Sequence, residues 1–259
     1  VQLNRDHGSM PLDQLLKPAI GYAQDGFPVG QRSAFDFAGC LELLQGDEDA
    51  ANVFLKDGQT YQMGELLRQP NLAKTLTAIA EQGRDGFYKG WVAQDMLAKL
   101  TALGGRHIQA DLDAALATYV QPIKSQFRGY DVWECPPNGQ GVIALLLLNI
   151  MSDIEKFGDD PINVARMHHE IEAGRLAYRD RSLYLADPAF SNVPVEDLLS
   201  PAYANQVRAL INPDKAQFGL PSSPLPPHKS TVYVSVVDKD RNACSFINTV
   251  FHTFGAGLV

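Results

Sequence analysis

Five prolines occur within the 19 residues 212–230, and a β-strand pattern begins immediately after them. Proline fixes its own φ angle and has no backbone N–H, so a regular helix or strand is excluded over this stretch. Residues 231–238 (TVYVSVVD) have the β-branched and aromatic composition of a strand. We therefore predict an exposed connector that leads directly into a buried strand whose first residue is Thr231.

A hairpin is predicted after the connector, with a turn at 239–242 and a second strand at 243–251. The plainest interpretation is an interdomain linker followed by a hairpin. The alternative is a chain that is cut between Ser230 and Thr231, which frees the α-amine of Thr231. A threonine hydroxyl is a poor nucleophile at neutral pH and needs a base within hydrogen-bond reach. A free α-amine has a pKa of about 7.7–8.0, so one residue would supply both nucleophile and base.

The chain before the connector is predicted to be rich in helices, with one further strand pair. Apolar residues recur at helical spacing in several segments, namely 12–26, 70–103 with a break at 83–86, 111–117, 142–156, 161–179, 196–199 and 201–211. Strands are predicted at 119–123 and 129–133, joined by a turn at 124–128. The chain thus divides into a helix-rich part (1–211), the connector (212–230) and the final hairpin (231–259).

Particular residues refine the helix predictions. Pro18 either kinks the first helix or delays its start, and Gly26 ends it. Asp111 is predicted to cap the short helix that follows it, and Asp160 with Pro161 to begin the helix over 161–179. The Leu-rich segment 142–156 is apolar nearly all round, which is typical of a central buried helix. One apolar face of the 161–179 helix is formed by Met167, Ile171, Gly174 and Tyr178.

Charge and hydropathy exclude two classes of partner. The net charge of −8 and the pI of about 5.2 disfavour binding to a phosphate backbone, so we expect no nucleic-acid partner. The longest apolar stretch, residues 141–151, is shorter than the roughly 20 residues that a transmembrane helix needs. No membrane span is therefore predicted.

Standard cofactor and metal motifs are missing from the sequence. It contains no H-E-x-x-H, P-loop, G-x-S-x-G or intact G-x-G-x-x-G motif, so we expect no cofactor. His168 and Glu172 lie four apart and could pair as metal ligands, but without a third ligand a contact on the helix surface is favoured and no metal site is predicted. The three cysteines, Cys40, Cys135 and Cys244, are too sparse for a disulfide framework and are predicted to be buried small apolar residues.

Both ends of the sequence suggest a piece of a longer chain. It begins at Val1 without a signal peptide and stops directly after an apolar strand pattern. We therefore expect additional residues on both sides.

Several segments in order resemble the γ-glutamyltranspeptidase family. The matching residues are 7–12 with 18–27, 69–73 with 79–90, the run ECPPNGQG at 134–141, 169–173 with 177–181 and 187–188, and 231–255. Each match alone is moderately specific, whereas five in the family's order identify the family. The likeness covers nearly the whole sequence.

This resemblance implies an α+β Ntn-hydrolase fold, an αββα sandwich that is incomplete in this chain. It also implies self-cleavage of one precursor into a large and a small subunit, by attack of the Thr231 hydroxyl on the Ser230 carbonyl. Thr231 is then the catalytic nucleophile, and Thr249 matches a family threonine that hydrogen-bonds the nucleophile. The implied substrate is a small γ-glutamyl amide, with glutathione as the usual donor, and the acyl group passes to water or to an acceptor amine. The carboxylate-binding arginine and the Gly-Gly oxyanion hole of the family lie outside this sequence.

Four positions depart from the family pattern. Phe251 occupies the substrate-binding position where an asparagine or an acidic residue contacts the glutamyl group, and a phenyl ring cannot accept a hydrogen bond from an α-ammonium. Tyr233, Arg241 and Ile247 replace a common histidine, glycine and threonine. These departures resemble the acylase-like branch, which includes cephalosporin acylases. A glutaryl-type amidase and a non-cleaving binding protein of the same shape therefore remain alternatives. Family members are often periplasmic or secreted and others lack an export signal, so the compartment stays open.

Overall fold

The structure is a computed structural model, and it describes residues 1–217, 219, 232–250 and 253–259. These residues form two compact units. The first comprises residues 1–117 with the described part of 226–259, and the second is the described part of 118–225. Helices dominate, and every described strand belongs to a two-stranded antiparallel sheet.

The first unit begins with a run of short helices and minimal strands. Its helices are α1 (Gln2–His7), α2 (Leu12–Asp25), α3 (Gln31–Ala38), α4 (Leu41–Gln45), α5 (Glu48–Phe54), α6 (Pro70–Gln82), α7 (Asp85–Tyr88), α8 (Gly90–Ala102) and α9 (Gln109–Ala114). Strand β1 (Phe27–Pro28) pairs with β4 (Leu66–Leu67), and β2 (Leu55–Lys56) pairs with β3 (Gln59–Thr60).

Backbone geometry and one hydrogen bond decide three predictions for this unit. Helix α2 starts at Leu12 and continues through Pro18, so the proline does not delay its start. Gly26 ends the helix as predicted: its φ is +92°, and a Cβ there would come within 2.7 Å of the Arg68 side chain. Asp111 does not occupy the N-cap position. It lies in the first turn of α9, where its carboxylate accepts a hydrogen bond from the Ile108 N–H at 2.9 Å.

The second unit is built around one buried helix. Its elements are β5 (Ile123–Phe127), β6 (Tyr130–Glu134), α10 (Gly141–Ile150), a 3₁₀ turn (Ile154–Phe157), α11 (Val164–Tyr184), α12 (Val195–Leu198) and α13 (Pro201–Arg208). Helix α10 packs its apolar side chains against α11, α12 and α13. The prediction of a central buried helix is therefore confirmed.

Helix α10 ends six residues before its predicted end. The Arg208 side chain of α13 donates to the carbonyl oxygens of Asn149 and Ile150, in both cases at 2.6 Å. These are carbonyls that the end of a helix leaves without an intrahelical donor. Because α13 supplies the donors, the helix stops there and the chain continues into the 3₁₀ turn.

The β5–β6 hairpin is displaced from its predicted position. Residues 124–127 belong to β5 rather than to a turn, and Phe127 pairs with Tyr130. The connection is the two-residue loop Arg128-Gly129, where φ is +51° and +83°. Two successive positive φ angles are typical of the tight turn that matches the twist of a hairpin, so the glycine marks the turn.

Helix α11 begins at Val164, later than predicted, and the face that it buries is not the apolar one seen in the sequence. The side chain of Asn163 caps it by accepting from the Arg166 N–H at 3.1 Å, while Asp160 accepts from the Ile162 N–H upstream. The predicted apolar face is exposed, with Ile171 at 58%. The buried face consists of His169, Glu172, Ala173, Leu176, Ala177 and Asp180.

Partners inside the unit explain why this polar face is buried. The Glu172 carboxylate accepts from Arg175 at 2.8 Å, and the Asp180 carboxylate accepts from Tyr203 at 2.8 Å. Buried carboxylates are tolerated when such donors satisfy them. Burial lowers the pKa of His169 despite the nearby Asp153, whose oxygen lies 3.3 Å from its Nε2, so this ring favours the neutral form.

The cysteine prediction is wrong. All three cysteines are free thiols, Cys40 is half-buried, and Cys135 and Cys244 are exposed. Cys135 directly follows β6 and lies on the surface rather than in the core. Among the described helices, none is both long and apolar enough to cross a bilayer.

The final hairpin is formed by β7 (Val232–Val237) and β8 (Ala243–Asn248), as predicted. The expected burial of its first strand is not observed, because all described residues of both strands are exposed. Within the described residues, no third strand pairs with this hairpin and each sheet has two strands. A two-stranded ribbon without a covering layer leaves both of its faces open.

Candidate active site

The hairpin β7–β8 presents two chemically different faces. Val232 pairs with Asn248 and Val237 with Ala243, so successive side chains alternate between the faces. One face is mainly apolar and carries Val232, Val234, Val236, Cys244 and Phe246. The other face carries hydroxyl groups among apolar side chains and consists of Tyr233, Ser235, Val237, Ala243, Ser245 and Ile247.

Tyr233 and Ile247, two of the residues that depart from the family pattern, both lie on the hydroxyl-bearing face. Tyr233 lies directly opposite Ile247 in the register. The Tyr233 hydroxyl lies 2.9 Å from Ser245 Oγ on the neighbouring strand, and either group can be the donor. This diagonal contact is within reach of an aromatic side chain across an antiparallel pair. The tyrosine ring is thereby held along the strand pair.

The turn between the strands is fixed by one carboxylate. Asp238 accepts hydrogen bonds from the backbone N–H of Asn242 at 2.8 Å and from its side-chain amide at 2.9 Å. The side-chain bond from Asn242 is the main reason why the pKa of Asp238 lies below its ordinary value. Arg241 has a φ of +65°, a left-handed conformation that glycine adopts without strain. The departure at Arg241 therefore falls where the backbone favours glycine.

The structure describes one of the four predicted site residues. Thr249 follows the last residue of β8 directly and is exposed. Ser230, Thr231 and Phe251 lie outside the described residues. Their contacts and roles stay predictions.

The chain after the hairpin is anchored on the helices of the first unit. The Phe254 ring lies edge-to-face against Phe37 and Phe54, with centroid separations of 4.9 Å each. Phe254 itself has a φ of +60°, which a non-glycine residue adopts only when its surroundings hold it. Gly257 then passes so close to Leu43 that a Cβ would lie 2.7 Å from that side chain. These contacts fix the chain a few residues beyond Thr249.

No metal centre is formed by the described part of the chain, in which no three His, Cys, Asp or Glu side chains come together suitably. His168 and Glu172, the predicted surface pair, have separate roles. The His168 ring donates to the Asn212 carbonyl at 2.7 Å. Glu172 is 1% exposed and accepts from the Gln217 N–H, so it is a buried residue rather than a surface one.

The family model described as Gamma-glutamyltranspeptidase matches residues 1–259. The chain belongs to the γ-glutamyltranspeptidase family. The glutathione hydrolase proenzyme of Escherichia coli (strain K12) is 38% identical over 264 residues, which cover 98% of this chain and 45% of that relative. This family member spans about half the length of the curated relatives that it matches.

Solved γ-glutamyltranspeptidase-like structures superpose on this chain. A cephalosporin acylase from Bacillus halodurans matches with a TM-score of 0.88 at 34% identity, covering 100% of this chain and 48% of the acylase. The Helicobacter pylori γ-glutamyltranspeptidase matches with a TM-score of 0.79 at 31% identity, covering 84% of this chain and 63% of the other. These likenesses confirm the predicted α+β fold of the Ntn-hydrolase type.

The sequence analysis missed the buried carboxylates of α11, although a signal for them exists. Glu172, Leu176 and Asp180 are spaced by four residues and therefore share one helix face. Glu172 is predicted to make only a surface contact with His168, and no role is predicted for Asp180. A helix face that combines carboxylates with the small residues Ala173 and Ala177 indicates that a neighbouring element packs closely against it. The carboxylates then accept hydrogen bonds from donors inside the protein.

Proposed function

We propose that this protein is a threonine-nucleophile amide hydrolase and acyltransferase that cleaves its own chain before Thr231. The observation that carries the proposal is the family match over all 259 residues, together with its likeness to a glutathione hydrolase proenzyme. The word proenzyme in that relative's name supports maturation by cleavage. The enzyme's donor is a γ-glutamyl amide of the glutathione type, and water or an amine is the acceptor. Two subunits of one precursor then make up the mature protein.

Hairpin geometry supports the assignment of Thr231 and Thr249. Thr231 immediately precedes the first paired residue, Val232, and Thr249 immediately follows its partner, Asn248. The proposed contact between the two threonines requires the pairing to extend by one residue beyond Val232 and Asn248. Residues directly opposite in an antiparallel pair have Cβ atoms about 4.5–5.5 Å apart, which suits a hydrogen bond between two threonine hydroxyls.

Maturation requires one acyl shift and one hydrolysis. The Thr231 hydroxyl oxygen attacks the Ser230 carbonyl carbon, and the C–N bond to Thr231 breaks as its nitrogen takes up a proton. The resulting ester between Ser230 and the Thr231 oxygen is hydrolysed by water. This step leaves a carboxylate on Ser230 and a free α-amine on Thr231.

Turnover repeats this chemistry on the substrate. The α-amine accepts the proton of the Thr231 hydroxyl while its oxygen attacks the amide carbonyl. The leaving amine takes that proton, and an acyl ester of Thr231 remains. Water or an acceptor amine then attacks the ester, which releases the acid or a new amide and restores the hydroxyl.

Covalent labelling tests the nucleophile. We expect an electrophilic glutamine analogue to add one label to the mature protein, on the subunit that begins at Thr231, as read by intact mass and fragmentation. The matched control is Ser235→Ala, which removes a hydroxyl from the same strand and should label like the wild type. An unlabelled, uncleaved wild-type chain contradicts the proposal and favours the non-cleaving binding protein.

A glutaryl-type amidase is the second candidate, favoured by Phe251 and by the likeness to the cephalosporin acylase. We expect Phe251→Asn to shift the ratio of kcat/KM for γ-glutamyl over glutaryl anilide upward by about tenfold. The reason is that a hydrogen bond to a charged group contributes about 1.5–3 kcal/mol and only the asparagine can accept one from the α-ammonium. Phe251→Leu is the control and should leave the ratio unchanged.

The wild-type ratio decides between the two candidates, because a glutaryl-type amidase prefers the glutaryl anilide. An unchanged ratio in Phe251→Asn contradicts the role of this position in substrate choice. The labelling result is independent of that outcome.

A further inference from the structure

The loop between β6 and α10 carries an asparagine that is followed directly by glycine. Asn138 and Gly139 lie in this loop, residues 135–140, and both are exposed. Every other asparagine in the sequence precedes a residue that has a side chain. Because glycine has no Cβ, the side chain of Asn138 meets the least steric hindrance when it approaches the backbone nitrogen of the next residue.

Hydrogen bonding distinguishes Asn138 and Gly139 from the residue that follows them. Within the described part of the chain, neither the Asn138 side-chain amide nor the Gly139 N–H has a hydrogen-bond partner. The next residue is held, because the Gln140 side-chain oxygen accepts from Arg181 at 3.0 Å. The backbone at 138–139 can therefore change its conformation without breaking a hydrogen bond.

Steric contacts also differ along the loop. Gly141 lies so close to the end of β6 that a Cβ there would come within 2.6 Å of the Cys135 carbonyl oxygen and 2.7 Å of Glu134 Cβ. A Cβ at Gly139 would be 3.8 Å from its nearest neighbour, the Pro136 carbonyl oxygen. The end of the loop at Gly141 is thus tightly packed, whereas there is space around Gly139.

We propose that Asn138 is a site of spontaneous deamidation. The Gly139 backbone nitrogen attacks Asn138 Cγ, and the bond from Cγ to the amide nitrogen breaks. That nitrogen leaves as ammonia, which carries the proton that the Gly139 nitrogen gave up, and a cyclic succinimide remains. Water then adds to one of the two ring carbonyls and breaks its bond to the Gly139 nitrogen, which gives aspartate or isoaspartate at position 138. Water is the only co-reactant, and the inference does not depend on the proposed function.

The modification places a new carboxylate shortly before helix α10. The Gln140 side chain does not cap this helix, and its first turn contains no acidic residue. Negative charge near a helix N-terminus is favourable, so we expect Asn138→Asp to have a Tm no lower than that of the wild type. The net charge becomes one unit more negative than −8, which separates the modified protein by ion exchange.

Peptide mapping by mass spectrometry tests the site, on purified full-length protein that is incubated at neutral and at alkaline pH. The internal control is Asn192, which is exposed in the same unit but precedes Val193, whose β-branched side chain hinders the attack. We expect deamidation at Asn138 to be faster by about tenfold or more, which corresponds to about 1.4 kcal/mol of activation free energy. The rate at Asn138 should rise with pH, because the attacking nitrogen must lose its proton.

Gly139→Ala is the matched variant, because it keeps the asparagine and adds only a Cβ. Gly139 does not have a positive φ, and the space around it accepts the methyl group, so the Tm should be unchanged. Deamidation of Asn138 should slow by about tenfold. Equal rates at Asn138 and Asn192 in the wild type, or an unchanged rate in Gly139→Ala, would overturn the inference. Cleavage before Thr231 is measured separately and is not affected by either result.

Discussion

Replacing Thr231 with alanine is expected to leave the full-length precursor as one uncleaved chain. The hydroxyl that we propose attacks the Ser230 carbonyl is then missing, and no α-amine is freed to act as the proposed base. Removing a nucleophile from a catalytic unit of this kind costs about 10⁴-fold or more in rate. We therefore expect turnover of γ-glutamyl anilide to fall by at least that factor.

Intact mass after prolonged incubation and anilide hydrolysis measure the two effects. Thr231→Ser is the control, since it keeps a hydroxyl on the same residue and should still cleave. An alanine variant that separates into two chains at this bond would exclude Thr231 as the agent of cleavage. A continuous wild-type chain that still hydrolyses amides would exclude the N-terminal amine as the base.

Asp180→Ala is expected to lower the free energy of unfolding by about 3 kcal/mol. The Asp180 side chain is 0% exposed, and it accepts from the Tyr203 hydroxyl at 2.8 Å and from Arg179 at 2.7 Å. Burial, together with the hydrogen bond to Asp180, raises the pKa of Tyr203 to about 12. The substitution leaves a half-buried phenol and a half-buried guanidinium without their shared acceptor, which is more costly than losing a surface contact.

Urea denaturation of the purified protein, followed by circular dichroism, measures this loss. Asp159→Ala removes an exposed carboxylate and should change the free energy of unfolding by less than about 0.5 kcal/mol. Tyr203→Phe should cost about 1 kcal/mol, because only one hydrogen bond is lost. If Asp180→Ala unfolds at the same urea concentration as Asp159→Ala, the buried network does not stabilise the second unit.

Local sequence patterns correctly predicted the elements whose structure depends mainly on their own residues. Helix α10 reads as a buried helix because it is apolar nearly all round, and the β7–β8 hairpin follows from β-branched runs on either side of a polar turn. The order of motifs also identified the family, which the family match confirms. For the helix and the hairpin the information lies within a short stretch of chain, whereas the order of motifs extends along nearly the whole sequence.

Features that depend on distant partners were not predictable in this way. The end of α10 is set by Arg208, which lies 58 positions beyond Ile150, and the buried face of α11 depends on Tyr203 as a donor. A carboxylate is an expected surface residue until its donors are known. The β5–β6 turn is different, because Gly129 marks it locally, and the prediction of a longer turn at 124–128 is wrong.

For the candidate site, the sequence supplied residue identities and the structure supplied the register around them. The register makes Tyr233 and Ile247 direct neighbours, a pairing that was not predicted from the sequence. Thr249 was placed in sequence by its distance from Thr231, and its role stays a prediction. The roles of Ser230, Thr231 and Phe251 rest on the family resemblance.

The bonds from Arg208 to the last carbonyls of α10 have a consequence for how the second unit opens. If α13 detaches, Asn149 and Ile150 lose the donors that terminate their helix, and the core helix is exposed at the same end. The two helices therefore gain and lose their order together rather than fraying one after the other. We therefore expect the backbone amide protons of both helices to exchange with solvent in the same opening event, although 50 residues of chain separate the helices.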